Sequence, residues 1–594
     1  MQLLTTGQRI AFQHLFFLLQ PTGRFLVSKH NFTQWQPTGR RLDEIQPPTG
    51  PWLSLLTIAL LASCASPIAK PGIVEQAQAI EAVFETPAAY SVRTLDSASI
   101  ANYITAHPEA RADSAGIMGF YQRRSYQFAW FVGDSLSQSA AAFHNLVASA
   151  DTAFRELAFL RDKLDELLLR GRLNGDCEAD SCTQAVELAL TAQFFRFADK
   201  KYGGAVAKDL RELDWFIPRR KKNYDQLLDS LVAGRMNLAP VEPLNPQYTK
   251  LKAELKRYRE LERVAWPELS LGDKKKFEPG DKADWMPQLR ERLILTGDHR
   301  ATGDSAMLFS NAYDSLLVAA MMRFQERHGL HPDGVIGKGA IKQLNITPAE
   351  RTRTLLVNME RLRWVPAQNA PDLLLVNIPE FRLHVHEADT VAWSMVVVVG
   401  ATATRTVIFS DSLSTIVFSP TWTPPPSIVR GEILPAMAKD PNYLKKKGME
   451  VIGGTEKNPV IRQKPGSGNA LGHVKFLFPN SYSIYFHDTP SKSFFARESR
   501  AFSHGCIRLS EPQRFAEYLL RNDSTWTSNK VKEAMHLGRE QYVRLKRKRP
   551  VSIGYFTAWV DRQGQLHFRD DVYGHDARLA EELFGAPAPV KTPA

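Results

Sequence analysis

The sequence predicts a multidomain α+β protein: a helical scaffold domain, a small three-helix unit and a β-rich C-terminal domain with a lid-like insertion. Three observations predict it. A chain of 594 residues is too long for one core, so roughly three domains are expected. From about Ala79 to Glu260 apolar residues recur at three- and four-residue spacing, the helical pattern. From Leu373 onward the pattern changes to short β-rich runs between turns.

The first segment, residues 1–64, reads as a leader. Trp52 to Ala62 is an apolar run with Arg40 and Arg41 upstream, too short to span a bilayer comfortably and suited to a signal h-region. It ends Leu61-Ala62-Ser63-Cys64, which resembles the lipobox of bacterial lipoproteins. That resemblance implies lipidation of Cys64, export to the periplasm and attachment to a membrane through an N-terminal lipid anchor. Upstream, Pro21-Thr22-Gly23-Arg24 recurs as Pro37-Thr38-Gly39-Arg40. This stretch exceeds what a signal peptide needs and reads as translated upstream sequence, although no Met lies between Met1 and the h-region.

Residues 79–260 form the scaffold domain. Leu157, Leu160, Leu164 and Leu167-Leu168 make one helical stripe, and Val186, Leu190, Phe194 and Phe197 another; both read as packing core. Cys177 and Cys182 bracket a short polar loop and in an oxidising compartment can close a small disulfide; the alternative is two free thiols. Leu261 to Asp284 is polar, with Pro267, Pro279 and Gly280, and reads as a linker.

The next unit spans residues 285–348. Leu317, Met321, Phe324 and His328 share a helical face, Gly329 is placed for a left-handed helix cap, and Pro332-Asp333-Gly334 makes a turn before a second short helix. The run from Phe324-Gln325 through Gly329-Leu330 and Asp333-Gly334 to Gly337 resembles the small three-helix peptidoglycan-binding domain found beside wall enzymes. An inert spacer of the same fold is the alternative.

The β-rich domain covers residues 370–545, with strands expected at Leu373–Ile378, Arg382–His386, Ser394–Gly400, Thr415–Phe418 and Ser483–Phe486, and a helix at Glu511–Leu520. Residues 422–475, rich in Pro, Gly and Lys, are too long for a simple connection and read as a lid or gripping insertion. Residues 546–594 are expected to add a C-terminal hairpin, Val551–Val560 with Gln565–Arg569, and a tail.

The chemistry concentrates in Ser503-His504-Gly505-Cys506-Ile507-Arg508, with Tyr485-Phe486-His487-Asp488 upstream. A cysteine nucleophile needs a base to form thiolate, a third group to hold the base, and donors for the oxyanion. Gly505 supplies freedom for a tight turn beside Cys506. By residue type alone either His487 or His504 is a possible base. A His, a gap of roughly fifteen residues and a Ser/Thr-His-Gly-Cys-x-Arg/Asn motif resemble the L,D-transpeptidase catalytic domain. The resemblance implies that Cys506 is the nucleophile and His487 its proton acceptor, oriented by a backbone carbonyl. It implies that His504 shapes the turn, that Gly505 and Cys506 supply oxyanion N–H groups, and that Arg508 binds polar substrate groups. Tyr485, Trp422 and Ser503 are candidates for the substrate groove, with core packing the alternative for the two aromatics. Further segments, among them Tyr121 to Trp130, Asn358 to Trp364, Leu471 to Phe476 and Phe568 to Gly574, look like the large L,D-transpeptidases that carry a scaffold domain.

The resemblance implies peptidoglycan stem peptides as donor and acceptor, joined by 3→3 cross-links in cell-wall biogenesis. An L,D-carboxypeptidase, a wall-binding lipoprotein with an inactive catalytic domain, and attachment of a protein amine to the wall are the alternatives. The net charge of +12 sits in short scattered runs without interleaved aromatics, which argues against nucleic acid and for an anionic wall polymer. No metal or cofactor is expected. His384 and His386 share a strand face but lack further ligands nearby in sequence, and no C-x-x-C pair exists.

Overall fold

The computed structural model describes residues 91–149, 154–172, 179–206, 209–219, 222–236, 245–299, 308–366, 370–388 and 390–585. The leader with Cys64, and Cys177, lie outside the described residues. Cys182 is disulfide-bonded, with its partner outside them too. Among the described residues no helix is long and apolar enough to cross a membrane.

The N-terminal part is helical: α1 (Ser97–Ala106), α2 (Ser114–Arg123), α3 (Gln138–Ala148), α4 (Arg155–Arg172), α5 (Ala179–Ala198), α6 (Asp225–Val232) and α7 (Pro246–Leu261), with a tight hairpin of β1 (Phe131–Val132) and β2 (Ser135–Leu136). The leucine stripe of α4 and the Val186, Leu190, Phe194 and Phe197 stripe of α5 are buried, as their spacing predicts. One buried polar group organises this core. The Glu187 carboxylate accepts the N–H groups of Ala129 (2.6 Å) and Trp130 (3.0 Å) and the Tyr121 hydroxyl (2.9 Å). Burial pushes its pKa up to about 7 despite those donors. The Tyr121-to-Trp130 segment is thus pinned to α5 through a carboxyl group.

The segment read as a linker, 261–284, is not one. Leu269 and Phe277 are buried in the core of the next unit, Phe277 bridges Ile336, and the Trp266 indole donates to the Leu344 carbonyl. Its polarity concealed two apolar anchors. That unit contains α8 (Met286–Leu295), α9 (Ser315–Arg327) and α10 (Lys338–Asn345) around Leu289, Leu317, Met321 and Phe324. Gly329 follows α9 with φ +71°, the left-handed cap its position predicts. Helix α11 (Pro348–Trp364) starts with a capping box between Thr347 and Glu350 and is buried along most of its length. It bonds outward from the Asn358–Trp364 segment: Asn358 exchanges hydrogen bonds with Thr557, and Glu360 holds Arg363 and Trp364.

The catalytic-domain candidate is a nine-stranded sheet. Its strands are β3 (Leu374–Asn377), β4 (Arg382–Glu387), β5 (Thr390–Gly400), β6 (Ser410–Phe418), β9 (Val474–Leu477), β10 (Phe486–His487), β11 (Ala501–Ser503), β12 (Ile507–Leu509) and β13 (Gln541–Gly554). The order is β11-β5-β12-β10-β9-β6-β13-β3-β4, and β4 also pairs with β5, closing the sheet into a ring. The interior holds Val397, Val399, Ile416, Phe476, Phe486, Ile507 and Ile553. Helix α12 (Pro512–Leu520) seals it with Phe515, whose ring meets Phe476 and Phe486.

Two expectations need correction here. The boundary at 545/546 cuts β13, which runs from Gln541 to Gly554 between β6 and β3; Val551 therefore belongs to the ring, and only β14 (Ala558–Val560) pairs with β15 (Leu566–Phe568) as a hairpin. Basic residues Arg544 to Arg549 mask the strand pattern, because the register breaks between Arg544 and Arg549 and that stretch is largely exposed. Likewise Ser483 is not in a strand. It has φ +57°, in a turn organised by the Asn480 side chain, and β10 is only Phe486–His487.

The insertion folds on itself. Short helical segments Pro426–Ile428, Val429–Ile433, Leu434–Lys439 and Tyr443–Lys446 pack on the hairpin of β7 (Met449–Thr455) and β8 (Asn458–Gln463), around Val429, Ile433 and Ile461. Trp422 and Gln463 exchange backbone hydrogen bonds (3.1 and 2.7 Å) and close its base, while Val474 and Lys475, placed in the insertion by sequence, belong to β9.

Candidate active site

Register places the chemistry. Strands β10 and β12 run parallel, with Phe486 opposite Ile507 and His487 opposite Arg508. Phe486 and Ile507 are fully buried in the ring interior. Alternation then turns Tyr485, His487, Cys506 and Arg508 to the other face together. The Ile507 N–H donates to the Tyr485 carbonyl (3.1 Å), which locks Cys506 beside Tyr485. The Tyr485 ring centroid lies 5.7 Å from that of His487.

The His487 imidazole is oriented by one bond. Its Nδ1 lies 2.5 Å from the Asp488 carbonyl oxygen. A carbonyl only accepts, so Nδ1 carries the proton and Nε2 presents its lone pair. Burial, reinforced by the nearby Arg508 guanidinium, pushes the His487 pKa down to about 3. The ring is therefore neutral at ordinary pH, as a base must be. The Asp488 backbone is itself fixed: its carboxylate accepts from the His473 and Thr489 N–H groups and from Lys492 (2.9, 2.7 and 2.5 Å). Gly472, at φ +61°, lets the chain pass this carboxylate; a Cβ there would sit 2.3 Å from an Asp488 oxygen.

Cys506 is a free thiol, half-buried, donating to the Ser483 carbonyl at 3.5 Å. Burial raises its pKa, opposed by Tyr485 and by Arg508. The resting pair is thus neutral thiol and neutral imidazole, and charge appears only as the thiol attacks.

The turn before Cys506 is clamped. Gly505 has φ +111°. The Ser503 hydroxyl donates to the Cys506 carbonyl (2.6 Å) and accepts the Gly505 N–H (3.2 Å). From the loop after β5, Thr404 donates to the Ser503 carbonyl and Thr406 to the Gly505 carbonyl, both at 2.8 Å. Thr406 also accepts the Gly400 N–H (2.9 Å), and Tyr573 donates to the Gly400 carbonyl (2.6 Å). Ser503 therefore shapes the turn instead of lining a groove. The Gly505 N–H is occupied by Ser503, whereas the Cys506 N–H has no partner among the described residues.

The remaining candidates separate. His504 pairs with Glu432 of the insertion (2.9 Å), with both side chains about half exposed. The Arg508 guanidinium lies over the Phe494 ring (5.8 Å), and its Nε is buried without a partner among the described residues. Trp422 stands at the base of the insertion, engaged through its backbone. His384 is held by Glu380 (2.8 Å) and Ser394 (2.7 Å), and no cluster of metal-ligating side chains occurs among the described residues. Sequence reasoning missed Thr404, Thr406 and Glu432. Each lies about 70 or more residues from Cys506 in the chain and carries no local signature, although Glu432 falls within the insertion and Tyr573 within the Phe568 to Gly574 segment that the sequence had marked.

Residues 371–554 match the family model of the L,D-transpeptidase catalytic domain (YkuD), and residues 115–255 match that of a scaffold domain. A protein of Haemophilus influenzae (strain ATCC 51907 / DSM 11121 / KW20 / Rd) named "Putative L,D-transpeptidase" is 30% identical over 244 residues, covering 38% of this chain and 49% of the relative. The chain thus spans about half the length of that curated relative. A solved L,D-transpeptidase structure (residues 123–326) from Xylanimonas cellulosilytica DSM 15894 is 12% identical, with a TM-score of 0.17, covering 47% of this chain and 98% of that one; a score so low supports no argument.

Proposed function

We propose, from the premise that residues 371–554 are an L,D-transpeptidase catalytic domain behind a scaffold domain, that this protein forms 3→3 cross-links between peptidoglycan stem peptides through a thioester on Cys506. The observation that carries the reading is the shared face of β10 and β12, on which the free thiol and a neutral, tautomerically fixed imidazole stand together.

In the first step His487 Nε2 takes the Cys506 proton as sulfur attacks the carbonyl carbon of the third stem residue, a diamino acid. The developing oxyanion meets the unpartnered Cys506 N–H. Collapse breaks the peptide bond to the terminal D-Ala, whose amine leaves with the proton held on His487, and a thioester remains. In the second step the side-chain amine of another stem peptide attacks the thioester, His487 accepts its proton, and that proton returns to sulfur as the thiolate leaves. Water in place of the amine gives an L,D-carboxypeptidase. The Glu432–His504 contact brings the insertion against the catalytic turn, which favours exclusion of water and hence the amine.

The Leu61-Ala62-Ser63-Cys64 sequence supports export and lipid anchoring to a membrane facing the periplasm. Incubation with disaccharide-tetrapeptide and mass analysis tests the function. A product equal to two donors less one D-Ala is expected, and its loss in Cys506→Ala. Loss of D-Ala alone identifies the carboxypeptidase. No product and no thioester at Cys506 identify an inactive wall-binding protein.

A further inference from the structure

A large cleft lies away from Cys506, which is not among its lining residues. It measures about 1720 Å³ and lies where the small helical unit, helix α7 and the far side of the β-ring meet. Arg382 on β4, Arg500 just before β11 and Arg569 just after β15 all line it. The three guanidinium groups act on one another electrostatically: Arg382 bears on Arg500, and both bear on Arg569.

Arginines crowded in this way are ordinarily neutralised by carboxylates. Here none of the three forms an ion pair among the described residues. Seven acidic groups share the cleft and none stands at ion-pair distance from the three arginines among the described residues, although Glu380 and Glu326 act electrostatically on Arg569, and Glu498 on Arg500. Glu380 holds His384, Asp561 holds His567, Asp570 takes Lys342 and Gln343, and Asp571 takes the Tyr555 hydroxyl. Two of the arginines are also held in place. Arg569 stacks on Trp559 (4.9 Å), donates to the Arg327 carbonyl (2.8 Å), and passes Gly329 so closely that a Cβ there would lie 2.6 Å from its Cδ. Arg500 lies over Phe381 (5.9 Å) and donates to the Phe495 carbonyl (3.0 Å). His386 lines the same cleft, nine-tenths buried, with both ring nitrogens unpartnered among the described residues.

We infer that this cleft is a second binding site, for a carboxylate-bearing segment of the wall polymer, with Arg382, Arg500 and Arg569 as the carboxylate receptor. Planar forked donors, unpaired and preset by stacking, match carboxylates better than they match sugars or apolar groups. The identification of the polymer rests on the proposed function, because stem peptides carry free carboxylates. The site binds without chemistry. Its wall includes Ala501, the first residue of β11, which leads into the catalytic turn two residues later; occupancy would therefore hold one strand of the wall beside the domain while another is processed.

The test uses the full chain carrying Cys506→Ala, so that bound wall is not turned over. Co-sedimentation with purified peptidoglycan sacculi is compared with the same chain carrying Arg382→Gln and Arg500→Gln, and with one carrying Arg161→Gln and Lys163→Gln on the distant surface of α4. We expect the bound fraction to fall at least fivefold in the cleft variant and to stay within twofold in the surface variant, with thermal melts of all three alike. A Lys replacement at Arg500, which keeps the charge and loses the fork, should recover less than half of the binding. Equal sedimentation of all three proteins, equal losses in both variants, or no sedimentation of the parent would overturn the inference. D-Ala release from disaccharide-tetrapeptide by the wild-type chain is measured separately. If it is absent the proposed function fails, whatever the sedimentation shows; if it is present and the cleft variant still binds, the second site fails alone.

Discussion

Replacing Thr406 by Val should loosen the catalytic turn although Thr406 touches neither the thiol nor the imidazole. Its hydroxyl is buried, donates to the Gly505 carbonyl at 2.8 Å and accepts the Gly400 N–H at 2.9 Å. Valine keeps the shape and removes both bonds, leaving two buried backbone groups unpartnered at about 1–3 kcal/mol each. Relaxation brings the sum to roughly 2–4 kcal/mol, a factor of about 30 to 1,000 in the local opening equilibrium. Thr406→Ser keeps the hydroxyl and removes one methyl, worth about 1 kcal/mol. Hydrogen exchange read by mass spectrometry in peptides covering 399–406 and 501–509 separates the two. The Val variant should exchange at least about 30-fold faster than wild type, and the Ser variant within about fivefold. Thioester formation at Cys506 should slow by roughly 10- to 100-fold in the Val variant, since small displacements of a nucleophile have large effects on rate. If the Val and Ser variants exchange alike, the clamp assigned to this hydroxyl does not exist.

Other outcomes follow from the same geometry. Because burial raises the Cys506 pKa, the rate of its alkylation by iodoacetamide should still be climbing above pH 9; a plateau reached below pH 8 contradicts the neutral-pair resting state. His487, pushed down to about 3, stays neutral throughout the working range, so the acid limb of thioester formation should show no midpoint between pH 6 and 7 that His487→Gln removes. Gly472→Ala forces a Cβ against the Asp488 carboxylate at a left-handed position; it should lower kcat far more than it raises KM, with about 1–3 kcal/mol lost in stability, and a kinetically silent variant would sever Asp488 from His487 positioning. Glu432→Gln removes an exposed pair and should change the melting temperature by less than about 3 °C, corresponding to under 1 kcal/mol, while raising the ratio of hydrolysis to cross-linking; an unchanged ratio argues against the insertion as a water barrier.

Much was legible in the sequence because it is local. The 3.6-residue stripes of α4 and α5 fix which faces are buried, since periodicity is a property of neighbouring residues. The all-apolar run Met395 to Val399 marks a strand covered on both sides. Cys506 and His487 were singled out by the resemblance of their motif to the L,D-transpeptidase catalytic domain, whereas residue type alone left either His487 or His504 as a possible base. The choice between His487 and His504 was not local. It depended on the parallel register of β10 against β12, which turns His487 toward the thiol's face and leaves His504 to Glu432. Likewise the polar stretch at 261–284 concealed Leu269 and Phe277, whose burial requires a partner surface that composition does not reveal.

By itself, then, the chain determined its helical and β-rich regions, because those follow from residue type and short-range spacing. The closure of the sheet through β4 and β5, the clamp from Thr404 and Thr406, the loss of the Gly505 N–H to Ser503 and the unpaired arginine trio were decided only by the tertiary structure. Each joins residues far apart in the chain, and a hydrogen bond or a shared cleft depends on distance in space, which sequence separation does not encode.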